Sequence, residues 1–304
     1  MRTLEGDLKD LLEEKYHHRH LFNIRMHKGS LTKDEIKTWV RNRYYYQTRI
    51  PMKDSSILTK TDDPSFRRNW VQRVRDHDGD ERSTGGLELW LRLGDGVGLN
   101  RAAVSSLTNI LPGVRRACDA YVDFVNGHSL LESVAASLTE IFAGPLMGQR
   151  ITAFENHYTW IEPSALEYFR SRTSQAPRDA REGLDFVLAN AKTDEEQMAC
   201  LSALTRKCEI LWELLDGVEW AQHCPQIVER ARIRRNESMI VLPERAIELN
   251  STGMEILQLC DGDATVNKIS EEMGNRHSTI KTAFTDTYDF LEKMKSAGAL
   301  EYTL

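Results

Sequence analysis

The sequence is short of several things that would make its chemistry easy to read. Five cysteines (Cys118, Cys200, Cys208, Cys224, Cys260) are scattered with no CxxC pair and no zinc spacing. An odd, dispersed set suits a reducing compartment and buried thiols better than a disulfide framework. No apolar run approaches the roughly 18 residues of a membrane span. The opening MRTLEGDLKDLLEEK is charged and has no apolar signal core, so a cytoplasmic protein is expected. There is no GxGxxG, P-loop, HExxH or GxSxG, which leaves nucleotide, zinc-peptidase and serine-nucleophile chemistry without a sequence basis. Positive charge is also lacking: 40 basic against 46 acidic residues give −6, and residues 225–304 alone are net acidic. Neither part carries the electrostatic footprint of a nucleic-acid binder.

What is present is an ordinary globular composition, 40% hydrophobic and 28% charged over 304 residues. At about 150 residues per domain this predicts two domains or one large one. Helix-start signals recur in the first part. Thr32 with Glu35, Ser129 with Glu132 and Thr193 with Glu196 are capping boxes, and Pro112 suits a first helical position. Apolar residues then repeat at three and four, as in Leu201, Leu204, Leu211 and Leu215. A bundle of seven to nine helices is predicted, with the glycines of GGLELWLRLGDGVGLN as turn residues. After Pro225 the pattern changes. RARIRRNESMIVLPERAIELN predicts two or three short strands, followed by helices near 251–260, 265–273 and 278–295 and a return strand in ALEYTL. The domains are therefore set at 1–223 and 224–304, the second an α+β unit of about 80 residues, with no low-complexity linker and no internal repeat.

Several helical segments gather polar side chains on one stripe. Arg43, Tyr46 and Gln47 stand at i, i+3, i+4; Arg73 and His77, and Tyr168 and Arg172, stand at i, i+4. Tyr16 and His17 precede a break, and Lys207 interrupts the apolar stripe of LTRKCEILWELL. Convergence of these groups would make a cationic pocket for a small polyanion, with His and Tyr to move protons. The same spacings also suit solvated faces and surface ion pairs. The cluster YHHRH admits a haem or metal ligand, but Glu14–His17 is one ExxH and a helical di-iron site needs two.

The motifs NRYYYQTRIPMKD, WVQRVRDHDGD, GGLELWLRLGDGVGL, LPGVRRACDAYVDF, ASLTEIFA, HYTWI and EYFRSRTSQAPRDAREGL, in this order over residues 8–221, resemble the pyrroloquinoline quinone synthase (PqqC) family. MIVLPERAIELNSTGMEILQLCDGDATVNKI resembles the PqqD family of peptide-binding domains. The resemblance implies a mainly α protein: a haem-oxygenase-like helical bundle, usually homodimeric, followed by a small winged-helix-like domain. It implies an oxidase without metal or organic cofactor, using O2 to complete pyrroloquinoline quinone by a last ring closure and oxidation, with hydrogen peroxide as the other product. By matching motifs, His77, Tyr168, Arg172, His17 and Glu140 take the catalytic roles. Tyr16, Arg43, Tyr46, Gln47, Lys53, Arg73, Tyr121, Thr139, Arg150 and Lys207 take substrate binding. The six cations among them would meet a tricarboxylate.

Two positions depart from the family pattern. FAGPLMGQR has Met147 where the family has a histidine and Pro145 displaced by one, while Arg150 is kept; YHHRHL has Arg19 where a histidine is usual. Methionine cannot carry a proton. The PqqD-like part implies binding of the precursor peptide and its radical SAM enzyme. A peptide strand would add to an edge in 228–242, beside a groove at 251–260. A haem- or di-metal-binding protein and a non-catalytic scaffold of the same pathway are the competing readings.

Overall fold

The computed structural model describes residues 3–303. Helix-start chemistry sets the first elements. Thr3 caps α1 (Leu4–Lys15), a 3-10 turn spans His17–Arg19, and the His20 ring accepts the Phe22 amide at 3.0 Å to open α2 (Leu21–His27). The Thr32–Glu35 capping box opens α3 (Lys33–Leu58), and Asp63 with Pro64 opens α4 (Pro64–Asp78). Then come α5 (Gly86–Gly96), α6 (Arg101–Ser105) and α7 (Pro112–Gly127), the last with Pro112 at its first turn. The Ser129–Glu132 box opens α8 (Leu130–Ala136), which passes through a 3-10 turn into α9 (Glu140–His157). α10 (Glu167–Asn190) and α11 (Asp194–Trp220) complete the series, with Thr193 and Glu196 exchanging the reciprocal bonds of the third capping box.

Eleven helices thus precede the first strand among the described residues, more than the seven to nine expected. The surplus is in the short α2, α6 and α8. Gly29 (φ 72°) follows α2, and Leu107 and Asn109 (both φ 56°) follow α6. The glycines of the 85–98 segment need a correction. Gly85 and Gly98 have positive φ, but Gly86, Gly94 and Gly96 lie inside α5. A Cβ on Gly96 would stand 2.5 Å from that of Ala165, so this glycine permits close packing instead of a turn.

Chain compactness divides the protein into Met1–Leu215 and Asp216–Leu304. In the first unit Trp39, Trp90, Phe154 and Phe169 interlock, with Trp39 and Trp90 edge to face at 5.4 Å. Burying rings of this size stabilises by roughly 1.5–3 kcal/mol each. Trp90 also donates to the Val40 carbonyl at 2.9 Å. α9 and α10 approach where Gly144 faces Pro177, a Cβ there standing only 3.3 Å from the proline ring. The stretch Leu130–His157 has a window of mean hydropathy 1.3, long and apolar enough to cross a membrane, contrary to the sequence reading. That window is 56% buried, because α8 and α9 are core helices.

In the second unit β1 (Cys224–Ile227) pairs antiparallel with β5 (Leu300–Thr303), the expected return strand. β2 (Arg232–Arg234), β3 (Met239–Leu242) and β4 (Arg245–Glu248) form an antiparallel meander with β3 in the centre. The stretch 230–250 thus holds three strands, within the two or three expected, and β1 before it is a further strand. α12 (Ser251–Gln258), α13 (Val266–Arg276) and α14 (Ala283–Ser296) follow. α14 starts five residues later than expected, because turns bond Ile280 to His277 and Ala283 to Ile280. All five thiols are free; four are buried and Cys224 is partly exposed.

Candidate active site

Helical periodicity brings the polar stripes to one cavity in the first unit. α3 contributes Arg43, Tyr46, Gln47 and Ile50 at i, i+3, i+4, i+7. Tyr16 and His17 enter where α1 breaks into the 3-10 turn, and His77 enters from α4. Thr139, Glu140, Ala143 and Met147 come from the start of α9, Tyr168 and Arg172 from α10, and Leu211 from α11. The cavity encloses about 50 Å³. Ten of the fifteen residues singled out from the sequence line it. The other five, Lys53, Arg73, Tyr121, Arg150 and Lys207, lie buried outside that lining.

The cations fall into two groups. Lys53 is paired with Asp54 at 2.7 Å and donates to Ser137 at 3.0 Å. Burial works against its charge, but Asp54 and Tyr121 together outweigh burial and the Lys53 pKa is raised. Arg172 donates to Glu140 at 2.6 Å and stands 3.4 Å from Asp179; Arg73 stands 3.9 Å from Asp179 and stacks on Trp70. These three are compensated, so they supply less excess charge than six cations in a row suggest. Arg43, Arg150 and Lys207 have no carboxylate partner among the described residues. Arg43 stacks on Tyr46, its guanidinium 3.8 Å from the ring centre. Arg150 donates to Asn23 at 3.0 Å. Lys207 donates to the Tyr46 hydroxyl at 2.8 Å and sits 3.4 Å over the Tyr121 ring. Burial, then Arg43, presses the pKa of both Lys207 and Arg150 down, Arg150 to about 9. Such values mark buried cations without an anion.

The proton-carrying groups are also defined. His77 contacts the Arg73 carbonyl through Nδ1 at 3.1 Å. A carbonyl only accepts, so Nδ1 carries the proton and Nε2 is the basic nitrogen. Burial, then Arg172, lowers the His77 pKa and favours the neutral ring. Burial also lowers that of His17 well below its usual value, helped by Arg43, Arg150 and Lys207. Both His17 ring nitrogens are buried without a partner, an expensive arrangement unless a ligand completes it. Tyr168 donates to Gln47 at 2.8 Å, and burial raises the pKa of Tyr16, Tyr46, Tyr121 and Tyr168, favouring their hydroxyl forms. Met147 lines the cavity with its sulfur 4.0 Å from Arg150.

The histidines of YHHRH do not converge. His17 lines the cavity, His18 stacks on Tyr16 at 5.8 Å, and His20 caps α2. Among the described residues no group of three or more His, Cys, Asp or Glu side chains is placed to hold a metal ion. Sequence reasoning passed over four supporting residues. Asn23 holds Arg150 and donates to the His17 carbonyl at 2.7 Å; Ser137 joins Lys53 to Tyr121; Asp54 neutralises Lys53; Asp179 joins Arg172 to Arg73. Asp179 alone had a local signal, seven residues after Arg172 on the same helical face.

A helical bundle closed around a buried cationic cavity defines a class of fold. The chain resembles, at TM-score 0.56 and 13% identity, the TenA homolog of Pseudomonas syringae pv. tomato over 71% of this chain and 91% of that one. It also resembles a domain of haem-oxygenase-like fold from Shewanella denitrificans, at TM-score 0.55 and 14% identity over 71% of this chain and 88% of that one. These likenesses establish the haem-oxygenase-like fold. Residues 7–217 match the TENA/THI-4/PQQC family, and the chain belongs to it. Residues 237–300 match Coenzyme PQQ synthesis protein D (PqqD). The bifunctional coenzyme PQQ synthesis protein C/D of Methylorubrum extorquens is 36% identical across 90% of this chain and 87% of its own length. The pyrroloquinoline-quinone synthase of Rhizobium meliloti is 46% identical across 74% of this chain and 88% of its own.

Proposed function

We propose that the helical unit is a pyrroloquinoline-quinone synthase that uses O2 as co-substrate and needs no metal or organic cofactor. The observation that carries this reading is the set Arg43, Arg150 and Lys207, buried without carboxylates beside a His17 ring without partners. A tricarboxylate supplies the anions these groups lack, each charge-assisted hydrogen bond contributing roughly 1.5–3 kcal/mol. The bicyclic, amino-acid-derived precursor forms its last C–N bond in the cavity. It then loses electron pairs to O2, each pair with two protons reducing one O2 to hydrogen peroxide. His77 Nε2 accepts a proton from the substrate ring. Arg172 stabilises the oxyanion that develops, and Tyr168, its hydroxyl donating to Gln47, lines the cavity beside it. Tyr16, His17 and Glu140 position amine and carboxylate groups. Met147 adds no proton carrier to this wall.

The second unit is the binding site for the precursor peptide and its radical SAM enzyme. β2 and β4 are the free edges of the meander, open to an added strand. A pocket of about 190 Å³, with Ile256, Ile280 and Phe290 on its apolar side and Asn250, His277 and Asp286 on its polar side, accepts a side chain of the peptide. The protein works as a homodimer in the cytoplasm. The test is aerobic incubation of metal-free protein with the ring-open precursor, following quinone absorbance and O2 uptake together. Quinone formation with O2 uptake is expected. Tight precursor binding with no O2 uptake would replace the synthase by a scaffold, and turnover only on adding a metal would restore the metal reading.

A further inference from the structure

Behind the cavity wall, one carboxylate gathers three guanidinium groups. Asp179 is 3% exposed, on α10 two turns after Arg172. Its Oδ2 stands 3.4 Å from both Arg172 terminal nitrogens, and its Oδ1 accepts from Arg178 at 2.6 Å. Arg73 of α4 is 3.9 Å from Oδ1 and donates to the Asp179 carbonyl at 2.6 Å. Arg178 reaches on to Asp76, which Gln72 also contacts at 2.8 Å. The arrangement therefore ties α10 to α4 through charge-assisted bonds in a nearly dry setting.

Two groups at the cavity depend on this junction. Arg172 is held between Asp179 and Glu140. His77 is oriented by the Arg73 carbonyl, and the Arg73 side chain stacks on the Trp70 ring, donates to the Asp179 main-chain carbonyl and stands 3.9 Å from the Asp179 carboxylate. Asp179 itself is outside the cavity lining.

We propose that Asp179 is a positioning residue of this site: it fixes Arg172 directly and His77 through Arg73, so that the base and the oxyanion-stabilising cation face the same side of the substrate. This rests on the synthase reading above. The charged and titratable groups acting on His77 are Arg172 of α10, Asp54 of α3 and Glu140 of α9, with the Arg73 carbonyl on its own helix. Those around Asp179 are Arg73, Arg172 and Arg178, with Asp76 and Glu182 nearby. Burial opposes the Asp179 charge, but the three arginines outweigh it and hold the carboxyl below its usual range. Asp179 is thus a counter-charge of Arg172, the cation that acts on His77.

The experiment compares Asp179→Asn and Asp179→Glu with the wild-type full chain. It measures precursor affinity without O2, the single-turnover oxidation rate on adding O2, and the pH dependence of that rate. Asp179→Asn should slow oxidation by about 100-fold, the scale of a misplaced catalytic group, while affinity changes less than about threefold. With one negative charge gone, the His77 pKa should fall further, moving the acidic limb of the rate profile to lower pH. Asp179→Glu, which keeps the charge, should return that limb to the wild-type position and recover part of the rate. Wild-type rate and limb in Asp179→Asn, or loss of affinity and rate in equal proportion in both variants, would overturn the proposal. An inactive wild type would instead refute the synthase reading beneath it.

Discussion

The two units differ in where they keep their charge. The helical unit buries Arg43, Lys53, Asp54, Arg73, Arg150, Arg172, Asp179 and Lys207. Among its described residues, the second unit buries no charged side chain; its buried polar residues are Asn267, Ser270 and Thr287. Burying a charge opposes folding unless a partner or ligand compensates it. A fold that does so repeatedly around one cavity is built for a charged ligand held away from water. A fold that keeps its charges outside, with free strand edges and a partly apolar pocket, is built to offer surface. The comparison repeats inside the helical unit, where Lys53, Arg73 and Arg172 are neutralised by protein carboxylates and Arg43, Arg150 and Lys207 are not.

The largest effect expected from breaking this arrangement is on chemistry. His77→Asn removes the basic nitrogen while keeping a polar group of similar reach. Stopped-flow oxidation of bound precursor should slow by about 10²–10⁴-fold, with binding little changed. Next comes stability. Lys53→Met leaves Asp54, 1% exposed, without its 2.7 Å partner. Unfolding by denaturant should show a loss of about 3–5 kcal/mol, the scale for breaking one side of a buried pair. The smallest effect belongs to the second unit. Ile280, 52% exposed at the rim of its pocket, should be dispensable for oxidation. Ile280→Asp should weaken precursor-peptide binding by about tenfold, near the worth of one apolar contact, and leave quinone formation at the wild-type rate.

Much of the fold was legible because its signals are local. All three capping boxes form, Pro112 starts a helix, and the return strand pairs with β1. The stripes at i, i+3, i+4 on α3 and at i, i+4 on α10 do meet in one cavity. The misses are contacts between distant parts of the chain. Nothing near Gly96 announces that Ala165 will press against it, so a helical glycine read as a turn. Pairing state was equally hidden. Arg150 and Arg172 look alike in sequence, yet Glu140 and Asp179 reach Arg172, whereas Arg150 meets the neutral Asn23. The distinction between neutralised and waiting cations is set by tertiary packing, and spacing along one helix cannot supply it.

The most direct test of the account is to remove a waiting cation and measure stability and affinity in the same protein. Arg43 lines the cavity, is 8% exposed and has no carboxylate partner among the described residues. If its charge is kept for the ligand, Arg43→Met should melt at or above the wild-type temperature, since an uncompensated buried charge is gone. Its affinity for the tricarboxylate quinone should fall by about 10–100-fold, as loss of a charge-assisted bond requires. A variant that melts well below wild type, as Lys53→Met should, while binding the quinone normally, would contradict the central claim: Arg43 would then be holding the fold and not the substrate.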